Sequence, residues 1–318
     1  MITFIIPAYN SERTISECIR SVLSQDVEKE IIVVDNGSTD TTAQIIKRFP
    51  VKYIYEPQKG PAAARNTGLR NVDYKSKYIA FVDSDVVLPP NWAKNALEIL
   101  SKYPEVAGVG GPGKSITKNV ISEVFDYLMY GRTAQDKEIF VKGLATMSVM
   151  YKLECIQDLF FNDKLQFAAA EDTDFNFRII KKGYKLIYSE DLWVYHHNPT
   201  TIIAVIKKWF NYGKYFALPY FWNNQLKDFG LWGRIIYLPL VLSCLIISFF
   251  VKNFVIFGSV IIVLPILYFY IGVKLKINNF YKLFLFVFVH SLKQIAQIIG
   301  IWYGIIIRFK KLLRKFLF

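Results

Sequence analysis

The run Tyr78-Ile-Ala-Phe-Val-Asp-Ser-Asp85 constrains this chain most. Five apolar or aromatic residues lead directly into Asp83 and Asp85, with Ser84 between them. A continuous apolar run of that length reads as a strand buried on both faces, as in an α/β sheet. Both acids then fall at its carboxyl end, where open α/β sheets bind ligands. Two carboxylates so close repel unless a proton or cation lies between them. A hard divalent ion held by one or two carboxylates and a diphosphate relieves that repulsion. A turn cap ahead of Pro89-Pro90 is the plainer alternative.

The preceding residues repeat the strand-then-helix pattern. Met1–Pro7, Glu30–Asp35 and Val51–Tyr55 read as strands. Ile15, Cys18, Ile19 and Val22 recur at helical spacing, and Thr42–Phe49 and the stretch after Gly60 are also predicted helices. Alternation of this kind specifies βαβ units and a mostly parallel sheet. Right-handed crossovers bring Pro7, Asp35 and Asp83 to one sheet edge. There Asp35 is an acceptor for a base N–H or a ribose hydroxyl. Gly60 opens a helix whose N-terminus favours phosphate, and Arg65 adds a planar cation. Taken singly, Asp35 also reads as an N-cap and Arg65 as a surface ion pair; together they specify a nucleotide-diphosphate pocket.

The middle of the chain carries weaker signals. Gly108–Gly113 reads as a glycine-rich bend, Val120–Tyr130 as a helix, and Lys142–Tyr151 as one strand of a mixed or antiparallel extension. Ala168-Ala-Ala-Glu-Asp-Thr-Asp174 then opens a helix that Gly183 stops. Acids in a first turn suit the helix dipole. A carboxylate there also suits a general base. Asp174 is predicted to pair with Arg178 four residues on, which leaves Glu171 or Asp172 for that role. Lys185–Tyr188 is another strand, and His196 and His197 follow in Val194–Pro199, where a histidine can complete a metal shell begun at Asp85.

Composition divides the chain. The net charge is +13, yet residues 201–318 hold fifteen Lys and Arg against one acid, Asp228, so the first 200 residues are nearly neutral. Basic charge interleaved with apolar runs indicates an anionic membrane surface and argues against nucleic acid as a partner. Cys18, Cys155 and Cys244 have no paired spacing, which excludes a disulfide framework or zinc site. Met1 is not followed by a basic and then an apolar stretch, so the N-terminal part is expected in the cytoplasm. Ile235–Val251 and Phe254–Val273 carry no internal charge and predict a transmembrane hairpin. Phe284–Ile307 contains His290, Lys293, Gln294 and Gln297 and precedes a basic tail; it is expected in the interface rather than as a third span. The predicted organisation is a catalytic domain over 1–200, interfacial helices over 201–232 and a multi-pass membrane region over 233–318.

Six stretches together resemble the family-2 glycosyltransferases, which have the GT-A fold: Ile5–Ile15, Ile31–Thr42, Gly60–Gly68, Phe81–Asp85, Glu171–Leu186 and Val194–Pro199. The resemblance implies a Rossmann-like α/β domain and an inverting, Mg²⁺- or Mn²⁺-assisted transfer from a nucleoside-diphosphate sugar. It places Pro7, Ala8 and Tyr9 in the base pocket, Asp35 on the base, and Arg65 and Asn66 against the nucleotide. Asp83 matches the first acid of the DxD motif, near the ribose or donor sugar. Asp85 matches the metal ligand, Asp172 the catalytic base beside Glu171, and His196, in preference to His197, the later metal or diphosphate contact. Two departures bear on specificity. Thr146 and Phe160-Phe-Asn-Asp163 replace an Asn and a Gly-Gly-Phe-Asp-like run, and Val205-Ile-Lys-Lys-Trp209 lacks the Gln and Arg of processive synthases. A single addition to a lipid-linked glycan acceptor is therefore expected. Transfer to a polyprenyl phosphate and a non-catalytic nucleotide-sugar-binding role are the alternatives.

Overall fold

The computed structural model describes residues 1–131, 138–163, 170–216, 218–222, 269–275, 277 and 279–317. The chain packs as two units, Met1–Ile116 with Ala134–His197, and Thr117–Thr133 with Asn198–Phe318. Residues 117–133, expected within the catalytic domain, group with the C-terminal helices instead.

The first unit is built on an eight-stranded sheet. Its strands are β1 (Ile2–Ala8), β2 (Lys29–Asp35), β3 (Lys52–Tyr55), β4 (Tyr78–Val82), β6 (Val106–Gly110), β8 (Glu138–Val141), β9 (Ser148–Lys152) and β10 (Lys185–Ser189). The order is β3-β2-β1-β4-β9-β6-β10-β8. Pairings are parallel from β3 through β4 and between β6 and β10; β9 runs antiparallel to both β4 and β6, and β8 antiparallel to β10. A small second sheet joins β5 (Val86–Val87), β11 (Val194–His196) and β7 (Gly113–Ser115).

The central strands are apolar throughout because helices cover both sheet faces. Phe4, Ile5, Ile6, Ile32, Val33, Val34, Ile79, Ala80, Phe81 and Val82 are fully buried. One core gathers Ile5, Ala62 of α3 (Pro61–Arg70), Phe81, Tyr151, Phe161 and Phe175 of α7 (Glu171–Lys181). Here Phe161 stacks on Phe175 with centroids 4.2 Å apart. On other elements, α1 (Ile15–Leu23) buries Ile15, Cys18, Ile19 and Val22, as its spacing predicts, and α4 (Trp92–Lys102) buries Trp92, Ala96 and Leu100.

Three expectations change. The bend read at Gly108–Gly113 is mostly strand: β6 reaches Gly110 and β7 begins at Gly113. Gly108 is there for contact, because a Cβ on it would lie 2.3 Å from the Tyr151 ring. The single strand read over Lys142–Tyr151 begins only at Ser148, as β9; β8 ends just before that stretch, at Val141, and pairs with a different neighbour. The link between them is pinned where Asn176 Nδ2 donates to Leu144 O at 2.8 Å. The helix read over Thr42–Phe49 closes early, as α2 (Thr42–Ile46).

The second unit is helical. Its helices include α5 (Val120–Tyr130), α8 (Ile202–Phe216), α9 (Leu218–Trp222) and a C-terminal helix, Phe280–Leu317. Asn119 caps α5, accepting from Ser122 N at 2.8 Å while Ser122 Oγ accepts from Asn119 N. Val124, Phe125, Val205, Leu283, Phe286 and Val289 form its core. α8 and the C-terminal helix meet glycine to glycine: a Cβ on Gly213 would lie 2.1 Å from Gln297 O, and one on Gly300 2.2 Å from Phe210 O. Small residues at a crossing let two backbones touch, as in membrane helix pairs. Ile235–Val251 lies outside the described residues, as does Phe254–Val273 apart from its helical end at 269–273. Among the described residues, one helix, Phe280–Ile307, is long and apolar enough to cross a membrane.

Candidate active site

Strand order explains where the site forms. β1 has β2 on one side and β4 on the other, so the connections leaving β1 and those entering β4 diverge. A crevice opens at the carboxyl edge of such a switch point. A cavity of about 920 Å³ lies there, lined by Pro7, Ala8 and Tyr9 from the end of β1, Arg65 from α3, and Asp83 and Asp85 from the end of β4. That size falls within the range of small-ligand sites.

The tip after β4 is a tight turn, with Val86 N donating to Asp83 O at 3.0 Å. It is tied to the first loop through a 2.8 Å hydroxyl contact between Ser84 and Ser11. Asp83 N donates to Met147 O at 2.9 Å, and His197 N to Asp85 O at 3.1 Å, so both acidic residues are held by their backbones.

Arg65 is the centre of the buried charge. Nη2 donates to Asp83 Oδ1 at 2.8 Å and Nη1 to Glu171 Oε1 at 2.9 Å, while the guanidinium lies over the Phe161 ring. Its side chain is 3% exposed and that of Glu171 4%. Arg65 is thus engaged by protein carboxylates, which accounts for its burial better than a surface ion pair does. Glu171 Oε2 accepts in addition from Ala170 N, capping its own helix. Asn66 is equally committed: it donates to Phe161 O at 2.8 Å and accepts from Phe161 N at 2.7 Å.

The acids feel their burial. Asp83 is raised above the usual carboxylate range by desolvation, against the pull of Arg65 and with a further push from Asp85. Asp172 is half-buried, and desolvation followed by the charge of Glu171 pushes it up to about 7. Its Oδ1 accepts from Thr173 N at 2.7 Å. The predicted pair of Asp174 with Arg178 is present at 2.8 Å.

Asp35, Asn66, Glu171, Asp172 and His196 are not among the residues lining the cavity. Asp35 lies at the end of β2 with Oδ1 accepting from Ser38 N at 2.9 Å and Oδ2 from Tyr53 Oη at 3.1 Å. His196 is buried, its Nε2 3.5 Å from Asp85 Oδ1, whereas the neighbouring His197 reaches the cavity wall.

A divalent ion fits the Asp85–His196 pair, where one carboxylate and one imidazole converge within 3.5 Å close to the Asp83 carboxylate. Among the described residues no group of three or more His, Cys, Asp or Glu is placed to hold a metal. Two protein ligands completed by substrate oxygens and water is a common arrangement for Mg²⁺.

Lys59 and Asn36 also line the cavity. Lys59 stacks its ammonium 4.5 Å from the Tyr9 ring centroid and donates to Gly37 O at 2.6 Å. Asn36 accepts from Gly60 N at 2.7 Å, so the turn after β2 carries the start of α3. The visible signal for both was position: Lys59 directly precedes Gly60-Pro61, and Asn36 directly follows Asp35.

A Rossmann-like half closed by an antiparallel β9, with a DxD turn at the switch point, is the GT-A arrangement. The mannosyltransferase PcManGT from Pyrobaculum calidifontis, solved with GDP-Man and Mn²⁺, shares it with a TM-score of 0.59, over 96% of this chain and 86% of that one, at 17% identity. Two family models match, glycosyl transferase family 2 over residues 3–149 and glycosyl transferase family group 2 over residues 78–274. The chain belongs to the family-2 group of glycosyl transferases. Among curated relatives, the Methanococcus voltae dolichyl N-acetyl-alpha-D-glucosaminyl phosphate 3-beta-D-2,3-diacetamido-2,3-dideoxy-beta-D-glucuronosyltransferase is 25% identical over 232 residues, 67% of this chain and 71% of that protein. Glycosyltransferase GlyA of Streptococcus pneumoniae serotype 4 is 36% identical over 115 residues, and the match spans 34% of this chain and only 16% of GlyA.

Proposed function

We propose that this chain is a membrane-bound, inverting glycosyltransferase that moves one sugar from a nucleoside-diphosphate sugar to a hydroxyl of a lipid-linked glycan. The observation that carries the reading is the chain Asp83–Arg65–Glu171, which links the acidic turn at the cavity to the carboxylate pair at the start of α7. Donor-side and acceptor-side acids thereby belong to one hydrogen-bonded set. The dolichyl-linked acceptor named for the Methanococcus relative supports a lipid carrier here.

In this reading Pro7, Ala8 and Tyr9 receive the base, and Asp35 orients the nucleoside from beneath the pocket wall. Lys59 adds positive charge at the start of α3. Asp83 meets the ribose or donor sugar, and Arg65 and Asn66 hold that wall in place through Glu171 and Phe161. Asp85 and His196 would hold Mg²⁺ or Mn²⁺, whose chemistry is to neutralise charge on the departing diphosphate. Asp172 takes the proton of the attacking hydroxyl on Oδ2, since Oδ1 accepts from Thr173 N. Its raised affinity for protons suits that step near neutral pH. Glu171, turned to Arg65, keeps Asp172 in that state by its charge. The apolar runs Ile235–Val251 and Phe254–Val273 have the length and the lack of internal charge of a transmembrane hairpin, which supports a multi-pass protein with the catalytic unit in the cytoplasm.

The test is release of nucleoside diphosphate by the purified full chain with Mn²⁺, a panel of donors and lipid-linked acceptors. Turnover that depends on acceptor and falls steeply in Asp172→Asn supports the reading. Near-normal turnover in Asp172→Asn with a polyprenyl phosphate would reassign the acceptor, because that nucleophile is already an anion. Donor binding without any release would leave a non-catalytic nucleotide-sugar-binding protein.

A further inference from the structure

The C-terminal helix is inside-out relative to a soluble helix. Its exposed positions from 280 to 307 are Phe280, Tyr281, Phe284, Phe288, Ile295, Ile299, Tyr303, Ile306 and Ile307, each apolar or aromatic. Its buried positions include Lys293 and Gln297, at 7% and 6% exposure. Lys293 lies midway along the apolar part and turns inward, its ammonium 3.9 Å from the Trp209 ring centroid of α8 and within reach of Leu128 O of α5. Lys293 and Gln297, two of the polar residues that break up this segment in the sequence, therefore face protein, and every exposed position stays apolar or aromatic.

The neighbouring helix is arranged the other way. The exposed positions of α8 form the stripe Ile203, Lys207 and Asn211. The last two flank Trp209, so they lie level with the middle of the C-terminal helix. The 28 residues Phe280–Ile307 of the C-terminal helix extend for about 42 Å at the α-helical rise, enough to cross a bilayer. Were the helix to cross, α8 would go with it, and Lys207 would face hydrocarbon near mid-depth. That is among the least favourable placements for a charged side chain. Both ends of the helix are also basic, with Lys274 and Lys282 near one and Arg308, Lys310, Lys311, Arg314 and Lys315 at the other. Crossing would carry one of these clusters away from the cytoplasm, against the positive-inside preference.

We infer that the C-terminal helix lies flat in the headgroup region of an anionic leaflet, with Phe284, Phe288, Ile295, Ile299 and Ile306 immersed and α8 covering it on the water side. The apolar face supplies burial in the acyl boundary, and the two basic ends supply attraction to anionic headgroups. The helix crossing at Gly213 and Gly300 holds the pair close enough for one element to face water while the other faces lipid. This goes beyond the transfer reaction and does not depend on it.

The experiment measures depth. The full chain carrying Cys244→Ser, with Cys18 and Cys155 buried, takes Phe284→Cys, Phe288→Cys, Ile295→Cys, Ile299→Cys or Ile306→Cys one at a time. Each bears a nitroxide and is reconstituted in phosphatidylcholine–phosphatidylglycerol vesicles, with collision rates for oxygen and for an aqueous nickel complex read by power saturation. The expected result is one shallow depth at all five positions, with nitroxides at Lys207→Cys and Asn211→Cys open to the nickel complex. A depth that climbs to a maximum near Ile295 and falls again, with position 207 shielded, would overturn the inference in favour of a span. Nickel access at all five would overturn it in favour of a face left in water, and shielding from both reagents in favour of a protein partner. Five separate positions on one exposed stripe keep the result independent of any one substitution. Depth is read without donor or acceptor, so a failure here leaves the transfer reaction standing.

Discussion

The sheet unit and the helical unit solve opposite solvation problems with the same residue types. In the first, Phe4, Phe81 and Phe175 are buried, while Lys94, Glu105 and Lys185 form exposed ion pairs. In the second, Phe284 and Phe288 are outside and Lys293 is inside. A sheet between helix layers in water must hide its apolar strands, whereas a helix against lipid hides its polar groups and presents the rest. Burial of a residue type is thus a reading of the local solvent. Here it separates the sheet unit from a helical unit whose C-terminal helix exposes apolar side chains.

The sharpest way to break that division is at the proposed base. Asp172→Asn is expected to lower turnover by about 10²- to 10⁴-fold, the usual worth of a positioned general base, with donor affinity retained. Steady-state rates and donor titration check this. In the unsubstituted protein, Asp172 must be ionised to accept a proton, and its carboxyl is held at about 7. The rate should therefore rise with pH through about 7, and this limb should vanish from the residual activity of Asp172→Asn.

Next in size is Arg65→Met. It leaves Asp83 and Glu171 in place without their guanidinium, and loss of one partner from a buried ion set typically costs about 3–5 kcal/mol. Thermal unfolding of the full chain in detergent should show an earlier transition for the sheet unit. An unchanged transition would mean that the buried triad is no part of what holds that unit together.

Gly300→Leu tests the other side. A side chain there meets the backbone of α8, which cannot rotate away, and overpacking of this kind costs about 1–3 kcal/mol. Protease sensitivity should increase in α8 and the C-terminal helix while donor binding stays unaltered; coupled loss of donor binding would show that the division into two tasks is too strict. The smallest effect is expected for Lys94→Ala, which removes an exposed partner of Asp26 and should leave the melting curve unmoved.

The sequence was most legible where burial was symmetric. β1, β2 and β4 read correctly because each carries the apolar run of a strand covered on both faces, Phe4–Ile6, Ile31–Val34 and Ile79–Val82. β6 was hidden by its own glycines, whose purpose is visible only once Tyr151 lies across Gly108. β5, β7 and β11 are two or three residues long, too short to show any period. At the site, Asp83, Asp85 and Arg65 were recognisable from their placement after a strand and on a helix start. Which of the two neighbouring acids, Glu171 or Asp172, turns towards Arg65 was not. In the C-terminal helix, His290, Lys293, Gln294 and Gln297 lower the apolar average, and a one-dimensional reading does not reveal which side they take.

The sharing of Arg65 limits how this site can be re-engineered. One guanidinium braces both the turn after β4 and the first turn of α7, two regions more than eighty residues apart along the chain. Displacing either loop alone strips a buried cation of half its counter-charge. Under the proposed reading, donor and acceptor preference would therefore not vary independently: a redesign has to refit positions 65, 83 and 171 as one module.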